Sequence, residues 1–381
     1  MKRRARVAVI GLGSVGSMTF WQLARRGIDV VGFEQFACGH PYGGAGGDNR
    51  LYRILSENPR YVPITRAAKD DWRALERDSG IDLLTTCGEL YIAPESSAWM
   101  SKVLGNASAF GIDHSTLTPA QSRAQFPTIP VGDADIVVLE RESGYVQAGA
   151  SIAAAAHVGA EKGGTLLEHC AVTAVESTDD GVLITTADSE WLVDSVVVTT
   201  GAWANRLLGD RLPMFDVRRA SVHWYPLRTP VGYTPDVYPI VERGDVDFGF
   251  AVWPTTDRQH IKVALMSTLD HRTDADDLGH TMPKKALDLI DSYVAEYVPD
   301  AIPTAIRHAF GVDACTQDGD FVVGPTEDDP RIVLGLGMNI RGFKMAAGMG
   351  RALADLASTG STDIPLDGMS VRRFQSLPTV V

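Results

Sequence analysis

The sequence predicts a mixed α/β fold in two lobes, and three observations carry that prediction. At 381 residues the chain exceeds the roughly 250 to 300 residues at which single cores stop growing. It opens with a short apolar run, a glycine turn and a helical pattern, the mark of a βαβ unit. The stretch from about 215 to 310 has a different character, with more aromatics and short strand-like runs, as a second lobe of antiparallel strands would have.

The elements follow in order. Residues 7–10 read as a strand, Gly11 to Gly16 as the turn, and the helix after it runs to Arg26 with Gly27 as its stop; residues 30–34 form the next strand. Residues 42–50 are glycine-rich and lead into Arg50 and Arg53, which suggests backbone close to a ligand. A helix is predicted over 61–77, with Ile64, Ala67, Ala68, Trp72 and Leu75 on one side. The alanine-rich stretch 146–162 reads as helix, 171–175 and 181–186 as alternating strands, and 196–200 as a buried parallel strand running into Gly201-Ala202-Trp203. Within 215–310, short strands are expected at 248–253 and 260–266. Residues 331–336 make another buried strand, and 342–357 a helix with Met345, Met349, Leu353 and Leu356 on one face.

Composition narrows the function classes. A net charge of −13 without clustered Lys and Arg disfavours nucleic acid. Cys38, Cys87, Cys170 and Cys315 are scattered and lack metal-ligand spacing, as expected of reduced thiols in a cytoplasmic protein. The basic N-terminus is not followed by a signal-like apolar stretch, and no window approaches the ~20 apolar residues of a membrane span. A soluble protein without a metal is the expectation.

In Gly11-x-Gly13-x-x-Gly16 the first glycine makes the turn, the second admits a pyrophosphate, and the third lets helix pack on strand, with the anion on the N-terminus opened by Ser14 and Val15. Glu34, followed by Gln35, ends the second strand at the spacing expected for a ribose contact, and an acid there argues against a 2′-phosphate. The fingerprint alone leaves FAD and NAD open. Strand–glycine signals recurring at Gly201 and at Gly335-Leu336-Gly337 favour a long ligand wrapped by several stretches, hence FAD; an NAD-dependent dehydrogenase is the rival. The nucleotide domain is then discontinuous, over 1–85, 142–215 and 311–381, with a substrate domain from 86–141 and 216–310.

Four stretches resemble the D-amino acid oxidase superfamily of FAD-dependent oxidoreductases, and within it the monomeric sarcosine oxidase and N-methyltryptophan oxidase group. They are the N-terminal fingerprint, residues 46–53 with 61–63, residues 316–319 with 324–325, and residues 337–344. The resemblance implies a Rossmann-like FAD-binding domain and a second, mainly antiparallel-sheet substrate domain. It assigns Arg53 and Lys344 to a substrate carboxylate, Arg50 to the flavin neighbourhood, and Lys262 to the reaction with O2. Two cations at one end of a pocket would fix a carboxylate and orient the neighbouring C–N bond. The helix N-terminus led by Gly342 and Phe343 would stabilise negative charge on the reduced ring. FAD contacts are further expected from His40, Gly43, Gly44, Leu51, Val172, Thr200, Gly201, Trp203, Cys315, Gly337, Asn339 and Arg341.

The departures are informative. Aligning Thr316 and Asp318 puts Gly311 where the best-known members attach their flavin to cysteine, so noncovalent FAD is expected, with Cys315 the alternative attachment point. The group's histidines become Ala45, Gly46 and Met266, and its middle-lobe tyrosine falls near Ala251. These losses imply a substrate larger than sarcosine. The expected activity is oxidation of a secondary or cyclic amino acid to an imine, with O2 reduced to H2O2, by a monomer. The alternatives are an FAD-dependent dehydrogenase that does not use O2 and a flavin-binding protein that has lost turnover.

Overall fold

The computed structural model describes residues 2–209, 215–244, 249–272, 274–279 and 281–374. The strand Arg3–Ile10 is buried over its second half, and Ser14–Arg25 crosses over to place Val30–Phe33 parallel beside it. Gly27, at φ 72°, turns the chain out of that helix, a conformation that only glycine adopts without strain.

Among the described residues, eight strands make the first sheet. Its path runs Val172–Thr178, Gly181–Thr186, Glu190–Val198, Arg3–Ile10, Val30–Phe33, Thr165–Leu167, and Ile332–Leu336 with Val322–Pro325 extends from the end of Glu190–Val198. The four pairings among Ile332–Leu336, Glu190–Val198, Arg3–Ile10, Val30–Phe33 and Thr165–Leu167 are parallel. Apolar residues cover both faces of these strands, as parallel sheets require. The helices Ser14–Arg25, Ala148–Glu161 and Ala346–Thr359 pack together on one face through Met18, Phe20, Ile152, Ala155, Met349 and Leu353.

Among the described residues the second sheet has nine strands, and every pairing there except that of Ile240–Arg243 with Glu89–Pro94 is antiparallel. Alternation along it is the physical key to the site. The side chains of Val241, Val252 and Val263 join a core with Ile290 and Val294 of the helix Lys284–Tyr297, while Glu242, Ala251 and Ala264 border a cavity. A small sheet of Asn49–Tyr52, Gly144–Gln147 and Leu84–Thr86 carries Arg50.

The mixed α/β class expected from the sequence is the one adopted. Local boundaries moved. The helix expected over 146–162 begins at Ala148, because Val146 and Gln147 are held in a strand by pairing with residues of Asn49–Tyr52 and Leu84–Thr86. Arg307–Cys315 lies along Asp216–Pro226 in the second sheet and runs past residue 311, where the last stretch of the nucleotide domain was expected to begin. Phe248, placed in a strand from sequence, lies outside the described residues, and the strand there is Phe250–Trp253. The closing helix starts as a 3₁₀ turn, Gly342–Met345, before Ala346–Thr359.

Candidate active site

The first cleft, of about 390 Å³, opens above the glycine turn. Gly11, Gly13, Ser14, Val15, Glu34, Gln35, His40, Gly43, Gly44, Arg50, Val172, Thr200, Gly201, Trp203, Gly342 and Phe343 all line it. Gly16 does not, and its role is packing: a methyl group there would come within 1.9 Å of the Gly11 carbonyl oxygen. At Gly13, by contrast, a methyl group would meet nothing within 4 Å, and the same is true of Gly201. The helix Ser14–Arg25 has no side-chain cap, so its first N–H groups are left for a ligand. Thr200 Oγ1 is buried without a hydrogen-bond partner among the described residues. Uncapped N–H groups, open space over two glycines and an orphaned hydroxyl together fit a bound dinucleotide.

Glu34 serves the cleft in a way the sequence did not disclose. Its carboxylate accepts from the N–H groups of Leu12 (2.8 Å) and Phe36 (2.9 Å), so it pins the glycine turn as well as facing the cleft. Burial pushes its pKa up, against those hydrogen bonds. Burial also lowers His40 to about 4, which makes it a neutral ring 3.6 Å from Glu34.

The second cavity, of about 540 Å³, adjoins the first; Gly44, Arg50, Asp313, Ile340 and Phe343 line both. Leu51, Arg53, Arg341 and Lys344 line it, with Glu57, Glu242, Trp99 and Trp253. Stretches 50–53 and 341–344, far apart in sequence, thus bring four cations to one cavity. Arg50 donates to the carbonyls of Gly44, Gly46, Gly47 and Asn49, and burial lowers it to about 10. Lys344 is brought down to about 7 by burial and then by Arg53. Lys262 is buried but not part of the lining. Its Nζ donates to Asn49, at 2.6 Å to the carbonyl oxygen, and sits 4.1 Å over the Trp253 ring. Burial and then Arg50 drive its pKa well below the ordinary value.

Cys315, Gly337 and Asn339 line neither cavity. Burial raises the Cys315 thiol to about 12. Asn339 receives the Thr316 N–H at 2.9 Å and shapes the turn before Gly342, where Asn339 (φ 50°) and Ile340 (φ 61°) are both left-handed. A β-branched residue in that region is strained, and such strain persists only where its surroundings impose it. Here Asp313 accepts the Ile340 N–H at 2.7 Å. Sequence reading missed Asp313, a buried carboxyl that burial raises to about 6, and also missed Glu57 and Glu242. Glu57 lay in sight after Arg53 but carried no motif; the strand register that aims Asp313 and Glu242 cannot be seen without pairing partners.

A model of the family described as FAD dependent oxidoreductase matches residues 6–356. The chain belongs to that family. FAD-dependent oxidoreductases similar to it include a monomeric sarcosine oxidase of Streptomyces avermitilis, 28% identical over 98% of each chain. An N-methyl-L-tryptophan oxidase of Yersinia pestis is 26% identical over 96% of this chain and 98% of its own. Among solved structures, NikD, an unusual amino acid oxidase essential for nikkomycin biosynthesis, superposes with a TM-score of 0.85 at 20% identity, covering 97% of this chain and 98% of its own. The L-proline dehydrogenase of P. horikoshii gives 0.84 at 20% identity, over 98% and 99%. These last two likenesses show the fold, a flavoenzyme architecture with a Rossmann-like FAD domain.

Proposed function

We propose that this FAD-dependent oxidoreductase oxidises the C–N bond of a secondary amino acid, N-substituted or cyclic, to an imine, with O2 reduced to H2O2 and FAD held noncovalently. The observation that carries the reading is the convergence of Arg50, Arg53, Arg341 and Lys344 on a cavity that joins the dinucleotide cleft at Phe343. The named activities of the sarcosine and N-methyltryptophan oxidases support the same chemistry.

The glycine turn and the N-terminus of Ser14–Arg25 would hold the pyrophosphate, Glu34 a ribose, and the turn 337–343 the ring. When bound, FAD supplies the hydride acceptor. Lys344 and its neighbours hold the substrate carboxylate, which orients the Cα–N bond. Because Ala251, Ala264 and Met266 stand on the walls of a cavity of about 540 Å³, the substrate's arm has room beyond the size of sarcosine. Lys262, held by Asn49 beside Arg50, would place positive charge near the site of O2 reduction. Cys315 lines neither cavity and is held as a thiol, which supports a noncovalent flavin.

Purified protein should be yellow and should release its flavin on acid precipitation. N-methylated, cyclic and glycated amino acids should bleach it anaerobically and yield peroxide in air. Bleaching without peroxide would make the enzyme a dehydrogenase, and a flavin that no amine bleaches would overturn the reading.

A further inference from the structure

The wall that gathers the cations also gathers carboxylates, which an anion-binding pocket alone would not need. Arg53 is 5% exposed and forms ion pairs with Glu89 at 3.2 Å, Glu57 at 3.7 Å, and Glu242. Glu89 is fully buried and accepts from the Tyr91 hydroxyl at 3.0 Å, which also donates to Glu140. Arg341 lies 3.7 Å from Glu57. Around Arg53, Arg341 and Lys344 there thus stand three acids, Glu57, Glu89 and Glu242, of which burial raises Glu89 to about 7. A substrate carrying a carboxylate and nothing else meets a guanidinium already taken by like-charged competitors.

Glu242 gives this balance a direction. One carboxylate oxygen faces Arg53; the other, Oε1, is on the side of Gly249, which lines the cavity. Two residues on, Gly244 lies flat against the Trp99 indole, so closely that a methyl group would come within 2.2 Å of the ring. Trp99 lines the same cavity. Residues 242 and 244, two apart at the end of the strand Ile240–Arg243, share one face, so Trp99 over Gly244 and the Glu242 carboxylate lie on the same side, and a carboxylate with an indole on one wall is a combination that suits an organic cation. Two buried donors lining the cavity have no hydrogen-bond partner among the described residues, Arg53 Nε and Trp253 Nε1. They call for an acceptor on the same ligand. The cavity thus asks for a molecule with both an anionic and a cationic end.

We infer that Glu242 and Trp99 form a subsite for a positively charged nitrogen on the substrate's arm, so that the enzyme selects N-substituted amino acids bearing a second basic group. Lys344, Arg341 and the free N–H groups of Arg53 and Trp253 then take the carboxylate, and the arm runs along Leu265, Met266 and Leu269 to Glu242. This inference rests on the amino acid oxidation proposed above and narrows its substrate class.

The test compares two probes that share a four-carbon side chain, Nα-methyl-lysine, which ends in an ammonium, and Nα-methyl-norleucine, which lacks it, in both enantiomers, by stopped-flow bleaching of the bound flavin. Wild type should favour the lysine derivative in kcat/KM by about tenfold or more. Glu242→Gln should bring the ratio to within about threefold, chiefly by improving the norleucine derivative as Arg53 is released. Trp99→Leu, which leaves the ion pairs in place, should lower the ratio by weakening the lysine derivative. Retention of bound flavin certifies the fold of each variant. A wild-type preference for the neutral arm, or a ratio that Glu242→Gln leaves unchanged, overturns the subsite while leaving the C–N oxidation standing. If neither these nor the cyclic and N-methylated amino acids bleach the flavin, the C–N reading itself fails, and the subsite with it.

Discussion

Lys344 owes its chemistry to where it sits. Burial, then Arg53 and Arg341, brings it down to about 7, while Glu57 and Glu89 pull the other way. A lysine lowered in this way is charged below that value and neutral above it, so capture of a carboxylate should be strongest below about pH 7 and decline as pH rises through it. The alkaline limb of kcat/KM reports the free enzyme and should show this decline. Lys344→Met should abolish that limb and cut kcat/KM by about 30-fold or more, as when one partner of a desolvated charge pair is removed. Asp313 shows the opposite shift. Its folded value is raised to about 6 by burial, so the protonated form is favoured in the native state. The associated stability is present below the ordinary carboxylate range and lost as pH rises through about 6. Urea unfolding of the apoprotein across pH 4 to 7 should show a fall that Asp313→Asn flattens.

At the scale of elements, the two glycines of the first turn separate scaffold from ligand. Gly16→Ala would press a methyl group onto the Gly11 carbonyl and within 2.5 Å of Thr199 Oγ1. It should cost about 3 kcal/mol of apoprotein stability, the upper end for overpacking. Gly13→Ala meets open space instead. It should cost no more than about 1 kcal/mol as a cap change, yet weaken FAD by tenfold or more, because the methyl group occupies the phosphate approach. Unfolding curves of the apoprotein and a flavin titration distinguish the two. Much of this element was legible from sequence, because the 3.6-residue period and the glycine spacing are local. The strand holding Val146 and Gln147 was not, since it exists only through partners at Asn49–Tyr52 and Leu84–Thr86. Lys344 and Arg53 were recognisable by motif, whereas Glu242 stood in no pattern at all.

Across the whole molecule, residues 274–276 are tied to the rim of the first cleft. Asp276 accepts from Trp203 Nε1 at 2.7 Å and from Arg206 at 2.8 Å, and Asp274 accepts from Arg206 at 2.9 Å. Trp203 and Arg206 line the cleft, and Ala275 packs with Ala202, Val217 and Val312. Asp276→Ala should let FAD dissociate about threefold to tenfold faster with little change in its association rate, a modest effect because exposed ion pairs are weak. Dilution of the holoenzyme into an apoflavoprotein trap measures it. By itself, the sequence carried the βαβ opening and the mixed α/β class through local spacing, and the FAD-dependent family through the resemblance of four stretches. Tertiary structure alone decided that Arg53, Arg341 and Lys344 stand among Glu57, Glu89 and Glu242, and that Asp313 braces the strained turn at Ile340. The reason is that a strand's facing depends on the register of distant partners, and a one-residue slip in the strand Ile240–Arg243 would turn Glu242 from the cavity into the apolar core.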